Sequence, residues 1–127
     1  MSAADAPLVL IVDDERIVCD VTEAVLTRAG LRVLCASGAL EGLALFELHQ
    51  KEIGVVLLDR SMPELDGLTV LGRMRALRSE LPAILSSGIG GTPGEAAAIP
   101  GPAPRLLLKP YRAAALLEMV RDALRTS

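Results

Sequence analysis

Five short apolar runs, each stopped by polar residues and separated from the next by a stretch with helical spacing, constrain this chain more than any other feature. Leu8 to Val12 is the first, and it ends abruptly at Asp13-Asp14-Glu15. Leu31 to Ala36 follows, then Val55 to Leu58 before Asp59, Ala83 to Leu85 before Ser86-Ser87-Gly88, and Leu106 to Leu108 before Lys109-Pro110. Strands that are apolar on both faces and break off at a polar rim belong to a parallel sheet covered by helices on either side. The expected class is therefore α/β, five strand-helix units in a three-layer sandwich.

The intervening stretches supply the helices. Val18, Val21, Val25 and Leu26 recur at helical spacing until Gly30, which suits a C-terminal glycine. Ser37 is placed to cap a second helix whose apolar face would be Leu40, Leu43, Ala44, Phe46 and Leu48. Asp66-Gly67 opens a third, with Leu68, Val70, Leu71, Met74 and Leu77 inside and Arg73, Arg75 and Arg78 outside. Arg112 to Arg125 closes the chain as an amphipathic helix. Only the fourth unit breaks the rhythm. Prolines 93, 100, 102 and 104 and glycines 88, 90, 91, 94 and 101 leave Glu95 to Ile99 alone free to be helical, so a short or distorted fourth helix is expected. The Gly88-Ile89-Gly90-Gly91 cluster is no nucleotide loop, because Pro93 stands where the dinucleotide pattern needs its third glycine and no Gly-Lys-Ser/Thr follows.

A length of 127 residues points to one domain over 1–127, with its core at about residues 8–125. Residues are 51% hydrophobic but only 2% aromatic, so Leu, Val, Ile and Ala must fill that core. Few aromatics and a net charge of -3 exclude direct nucleic-acid binding as the expected role. No apolar stretch reaches the roughly 18 residues of a membrane span, and Met1 to Pro7 lacks the features of a secretory signal. The expected compartment is the cytoplasm. Cys19 and Cys35 read as buried reduced thiols and His49 as a solvated helix residue.

The chemistry collects at the strand ends, where a helix-covered parallel sheet places its polar site. The first strand delivers Asp13 and Asp14, the third Asp59, the fourth Ser87 and the fifth Lys109. Taken singly, each is accounted for by a solvated turn or a helix cap. Taken jointly, three crowded acids need a cation to offset their repulsion, and oxygen-only ligands favour a hard ion such as Mg²⁺. The lysine and the hydroxyl add a cationic and a hydrogen-bonding partner for a phosphoryl group.

With these residues the chain resembles the receiver domain of bacterial two-component response regulators, from about Leu8 to Leu124. The landmarks are Val12-Asp13-Asp14-Glu15, Asp59 within Asp59-Arg60-Ser61-Met62-Pro63-Glu64-Leu65-Asp66-Gly67, then Ser87-Gly88, and Lys109-Pro110-Tyr111. The resemblance implies a flavodoxin-like fold of strand order 2-1-3-4-5 and a cis Lys109-Pro110 bond. It implies that Asp59 accepts a phosphoryl group from a histidine kinase or histidine phosphotransfer protein. Asp14, Asp59 and the backbone carbonyl of Ser61 would hold Mg²⁺, with Asp13 acting through bound water. Lys109 and the Ser87 hydroxyl would each engage a phosphoryl oxygen, as would the Gly88 amide. Phosphorylation would then switch a protein-interaction surface. The chain departs from the family in having Leu106 where many receivers carry an aromatic switch residue, which directs attention to residues 89–104 as the responding segment. The last helix stops about two residues from the end, as expected of a stand-alone receiver or of the receiver of a hybrid histidine kinase. The first helix, near Val18, Val21 and Val25, is the expected dock for the phosphodonor. Two other classes compete: a phosphorylation-independent scaffold, which usually lacks one of the acids or the lysine, and a metal-dependent phosphatase, which needs an acid where this chain has Ser61.

Overall fold

The computed structural model describes residues 6–88 and 101–125. In chain order its elements are β1 (Leu8–Val12), α1 (Arg16–Arg28), β2 (Arg32–Ala36), α2 (Ala39–His49), β3 (Ile53–Asp59), α3 (Gly67–Leu77), β4 (Ala83–Ser87), β5 (Arg105–Leu108) and α4 (Ala113–Arg125). The strands form one parallel sheet in the order β2-β1-β3-β4-β5, as expected for the flavodoxin-like topology. The expected short or distorted helix after the fourth strand, with residues 89–100 of the segment expected to respond, lies outside the described residues.

Alternation along the strands splits the core into two layers. Leu10, Val12, Val56, Leu58 and Leu85 pack with Phe46, Leu71 and Met74 beneath α2 and α3. Val9, Ile11, Val55, Leu57 and Ile84 pack with Leu26, Leu116 and Val120 beneath α1 and α4. Every residue of β1 is buried, because it lies inside the sheet and is covered on both faces. The edge strand β5 differs from the expected buried run. Only Leu107 is covered, while Leu106 and Leu108 are exposed.

Helix starts and faces show where local pattern yields to packing. Asp66 caps α3 as expected, its carboxylate accepting from the Thr69 amide at 2.8 Å. Ser37 does not cap α2; Gly38 stands at that position, and the Ser37 amide instead donates to the Glu41 side chain at 3.1 Å. The buried face of α2 is Ala39, Gly42 and Phe46, whereas Leu40 and Leu48 point outward and Ala44 is exposed. The reason is Gly42: a Cβ there would come within 2.7 Å of a Val12 methyl, so the helix rests directly on β1 along its small residues. On α3, Leu77 is exposed and Arg75 is buried, the reverse of the expected placement. The Arg75 guanidinium is held inside by donating from Nε and Nη2 to the Leu81 carbonyl, at 3.2 and 2.9 Å. Gly30 ends α1 with φ +89°, the left-handed conformation that favours glycine. His49 is half-buried and pairs with Glu52 at 3.0 Å.

Candidate functional site

Strand register builds the site. Val12 lies opposite Leu58, so the residue after β1, Asp13, comes level with Asp59. Asp59 lies opposite Ser86, and Ser87 opposite Leu108, which carries Lys109 one step beyond. Backbone bonds fix the rim, from the Arg60 amide to the Ser86 carbonyl and from the Lys109 amide to the Ser87 carbonyl, both 2.8 Å. The Lys109-Pro110 peptide is cis.

The three acids converge. Carboxylate oxygens of Asp13, Asp14 and Asp59 lie within 4.8 Å of one another, with Asp13 and Asp59 buried and Asp14 exposed. Lys109 Nζ stands 3.1 Å from Asp13, 3.4 Å from Asp59 and 3.4 Å from Glu15. Short local bonds orient the acids, since the Glu15 amide donates to Asp13 at 2.9 Å and the Ser61 amide to Asp59 at 3.2 Å. Burial and the charge of Asp13 push the Asp59 carboxyl up to about 6, against the opposing pull of Lys109 and the Ser61 amide. Burial acts to lower the Lys109 ammonium, but the hydrogen bond and charge of Asp13, joined by Asp59, outweigh it and hold it above the usual lysine range. A crowd of hard oxygen donors with one raised carboxyl fits a divalent cation of the Mg²⁺ kind.

The remaining candidates are placed less directly. Ser61 is exposed at the start of the loop after β3. The Ser87 hydroxyl donates to the Gly88 carbonyl at 2.9 Å, so it is turned into its own loop. A Cβ on Gly88 would meet nothing within 4 Å, so packing there does not demand glycine. Gly67 is different, because a Cβ would lie 2.6 Å from the Asp59 carbonyl oxygen and 3.0 Å from the Arg60 Cα. Its amide also donates to the Arg60 carbonyl at 2.9 Å, closing the loop that begins at Asp59. Gly67→Ala is expected to destabilise the protein by about 1–3 kcal/mol, because backbone must move to admit the methyl. An unchanged urea midpoint would contradict this close approach.

Two features of the site were not legible as such. Glu15 belongs to the Val12-to-Glu15 landmark, but nothing in its position shows that it reaches Lys109. Tyr111 bonds the buried Thr22 at 2.9 Å, tying the loop after Lys109 to α1.

Among the described residues no helix is long and apolar enough to cross a membrane. The response regulator receiver domain model matches residues 9–121. The response regulator protein TmoT of Ectopseudomonas mendocina is 35% identical over 93% of this chain and 53% of its own length. The C4-dicarboxylate transport transcriptional regulatory protein DctD of Rhizobium meliloti (strain 1021) is 36% identical over 97% of this chain and 26% of its own. The chain thus spans about half or less of these two relatives. A solved receiver domain protein from Clostridium thermocellum superposes with a TM-score of 0.87 at 27% identity, covering 94% of this chain and 95% of that one. Fold, strand-end acids and family match agree, and the chain belongs to the response regulator receiver domain family, a signalling domain of two-component systems.

Proposed function

We propose that the chain is a phosphoacceptor that receives a phosphoryl group on Asp59 from a phosphohistidine donor. The observation that carries this reading is the convergence of Asp13, Asp14 and Asp59 within 4.8 Å, with Lys109 at 3.4 Å from Asp59. Ionised Asp59 attacks phosphorus through a carboxylate oxygen, the phosphorus–nitrogen bond breaks, and the imidazole leaves neutral after taking a proton. Lys109 lies beside the carboxylate, positioned to meet negative charge on the transferring group. Ser87 reaches the same group once its hydroxyl turns from the Gly88 carbonyl, and the Gly88 amide offers a further donor. Asp14, Asp59 and the Ser61 carbonyl would hold Mg²⁺, with Asp13 acting through water. When bound, the cation offsets the acids' repulsion and the charge of the incoming phosphoryl group.

The donor we infer is a histidine kinase or histidine phosphotransfer protein, and the compartment the cytoplasm, where ATP feeds such donors. Its dock on this chain is the side of α1 next to the site. Ile17 and Val21 are 78% and 59% exposed there, beside a groove of about 470 Å³ that continues to Lys109, Pro110 and Tyr111. Val18 and Val25 are half-buried, so Ile17 and Val21 offer the apolar contact. Incubation with Mg²⁺ and acetyl phosphate tests the reading by intact mass. A stoichiometric adduct of one phosphoryl group is expected. An unmodified chain would leave a phosphorylation-independent scaffold, and rapid turnover of phosphomonoesters would mark a phosphatase.

A further inference from the structure

The chain has two cysteines, and the fold sets them against each other although the mechanism above uses neither. Cys19 lies on α1 and Cys35 on β2. Cys35 Sγ donates to the Cys19 backbone carbonyl at 3.6 Å. Cys19 Sγ donates in turn to the carbonyls of Asp13 at 3.5 Å and Ala36 at 3.7 Å. Cys19 is buried, but Cys35 is only half-buried. Both line a surface cavity of about 310 Å³ that Arg16 and Asp20 share. A small oxidant therefore has a path to sulfur. Each sulfur also lies against the other cysteine's stretch of backbone, Cys35 Sγ on the Cys19 carbonyl and Cys19 Sγ on that of Ala36, the residue after Cys35, which is the proximity of helix and strand that a disulfide requires.

We propose that Cys19 and Cys35 are a thiol-oxidation site that closes to an intramolecular disulfide on exposure to a hydroperoxide, fastening α1 to β2. One thiol takes an oxygen from the peroxide, whose O–O bond breaks and whose remainder leaves as water or an alcohol. The resulting sulfenic acid is attacked by the other sulfur; the sulfur–sulfur bond forms, and the hydroxyl departs as water with the second thiol's proton. Two thiols lose two electrons in all, and the peroxide gains them. The crosslink ends against the backbone of Asp13, and it abolishes the donations from Cys19 to the Asp13 and Ala36 carbonyls, because a disulfide sulfur carries no proton. Formation of the crosslink requires no phosphoryl transfer to Asp59.

The test treats the full, reduced chain with hydrogen peroxide, monitors folding by circular dichroism, and digests under non-reducing conditions. Trypsin cuts at Arg28 and Arg32, between the two cysteines, so a crosslink joins two separate peptides. The expected result is an intact mass lower by two hydrogens, a Cys19 peptide linked to a Cys35 peptide, and reversal by dithiothreitol. Cys35→Ser should lose the linked peptide. A folded wild-type chain in which both thiols still take a maleimide, or which gains oxygen without the linked peptide, would overturn the proposal, as would bonds formed only between chains.

Discussion

Replacing Lys109 with methionine is expected to slow phosphoryl uptake by about 10²- to 10³-fold, the range typical of removing one preorganised donor aimed at developing negative charge. Methionine keeps most of the aliphatic volume, so the substitution removes chiefly the ammonium. That ammonium lies 3.1 Å from Asp13 and 3.4 Å from both Asp59 and Glu15. Without it, Asp59 loses a charge that opposes its raised carboxyl, so a larger fraction is protonated near neutral pH and cannot attack phosphorus. Both effects act in the same direction. The rate of adduct formation with acetyl phosphate and Mg²⁺, followed by intact mass, measures their sum. A rate within twofold of the wild type would contradict the assigned role.

Asp59→Asn is expected to make the metal-free protein more stable, by about 2 kcal/mol above pH 7, while abolishing phosphorylation. The sign follows from the direction of the shift. The folded carboxyl titrates near 6, above its ordinary 3.8, so between these values the folded state binds more protons than the unfolded chain. Ionised Asp59 therefore works against the fold at neutral pH, and its share of stability rises as pH falls through 6 and levels off below about 4. Asparagine carries no charge at any of these values. The difference between variant and wild type should thus be largest above pH 7, shrink through pH 6 and nearly vanish near pH 4. Adding Mg²⁺ should shrink it at neutral pH, because the cation offsets the same repulsion. Paired urea titrations across this range measure the difference; a variant less stable at pH 7.5, or a pH-independent gap, would contradict the electrostatic reading.

How much was legible depended on whether a residue's surroundings repeat along the chain or come from elsewhere in the fold. The runs ending at Asp13 and Asp59 stood out because strands inside the sheet tolerate no polar residue until they leave it. For the same reason the acids at the ends of β1 and β3 are legible in the sequence alone, while Lys109 stands out because an apolar run breaks off at it. Periodicity misplaces the face of α2 because leucine weighs more than glycine in it, yet Gly42 is what lets the helix meet Val12. Arg75 reads as an outer residue because nothing local announces that the Leu81 carbonyl can hold a guanidinium. Glu15 and Thr22 meet Lys109 and Tyr111 across separations of 94 and 89 residues, which no local pattern encodes. β5 read as buried because its three leucines match an inner strand, but its place at the sheet edge leaves two of them exposed.

The central claim is that Asp59 itself carries the phosphoryl group as an acyl phosphate. Borohydride reduces an acyl phosphate to an alcohol and would leave homoserine at that position. Tryptic cleavage after Lys51 and Arg60 isolates Asp59 in the peptide Glu52 to Arg60, away from Asp13, Asp14 and Asp66. After reaction with Mg²⁺ and acetyl phosphate and then borohydride, mass spectrometry should find homoserine in that peptide at position 59, and Asp59→Asn should show none anywhere in the chain. Homoserine at Asp13 or Asp14, or an unreduced Asp59 in a chain that has gained a phosphoryl group, would contradict the assignment.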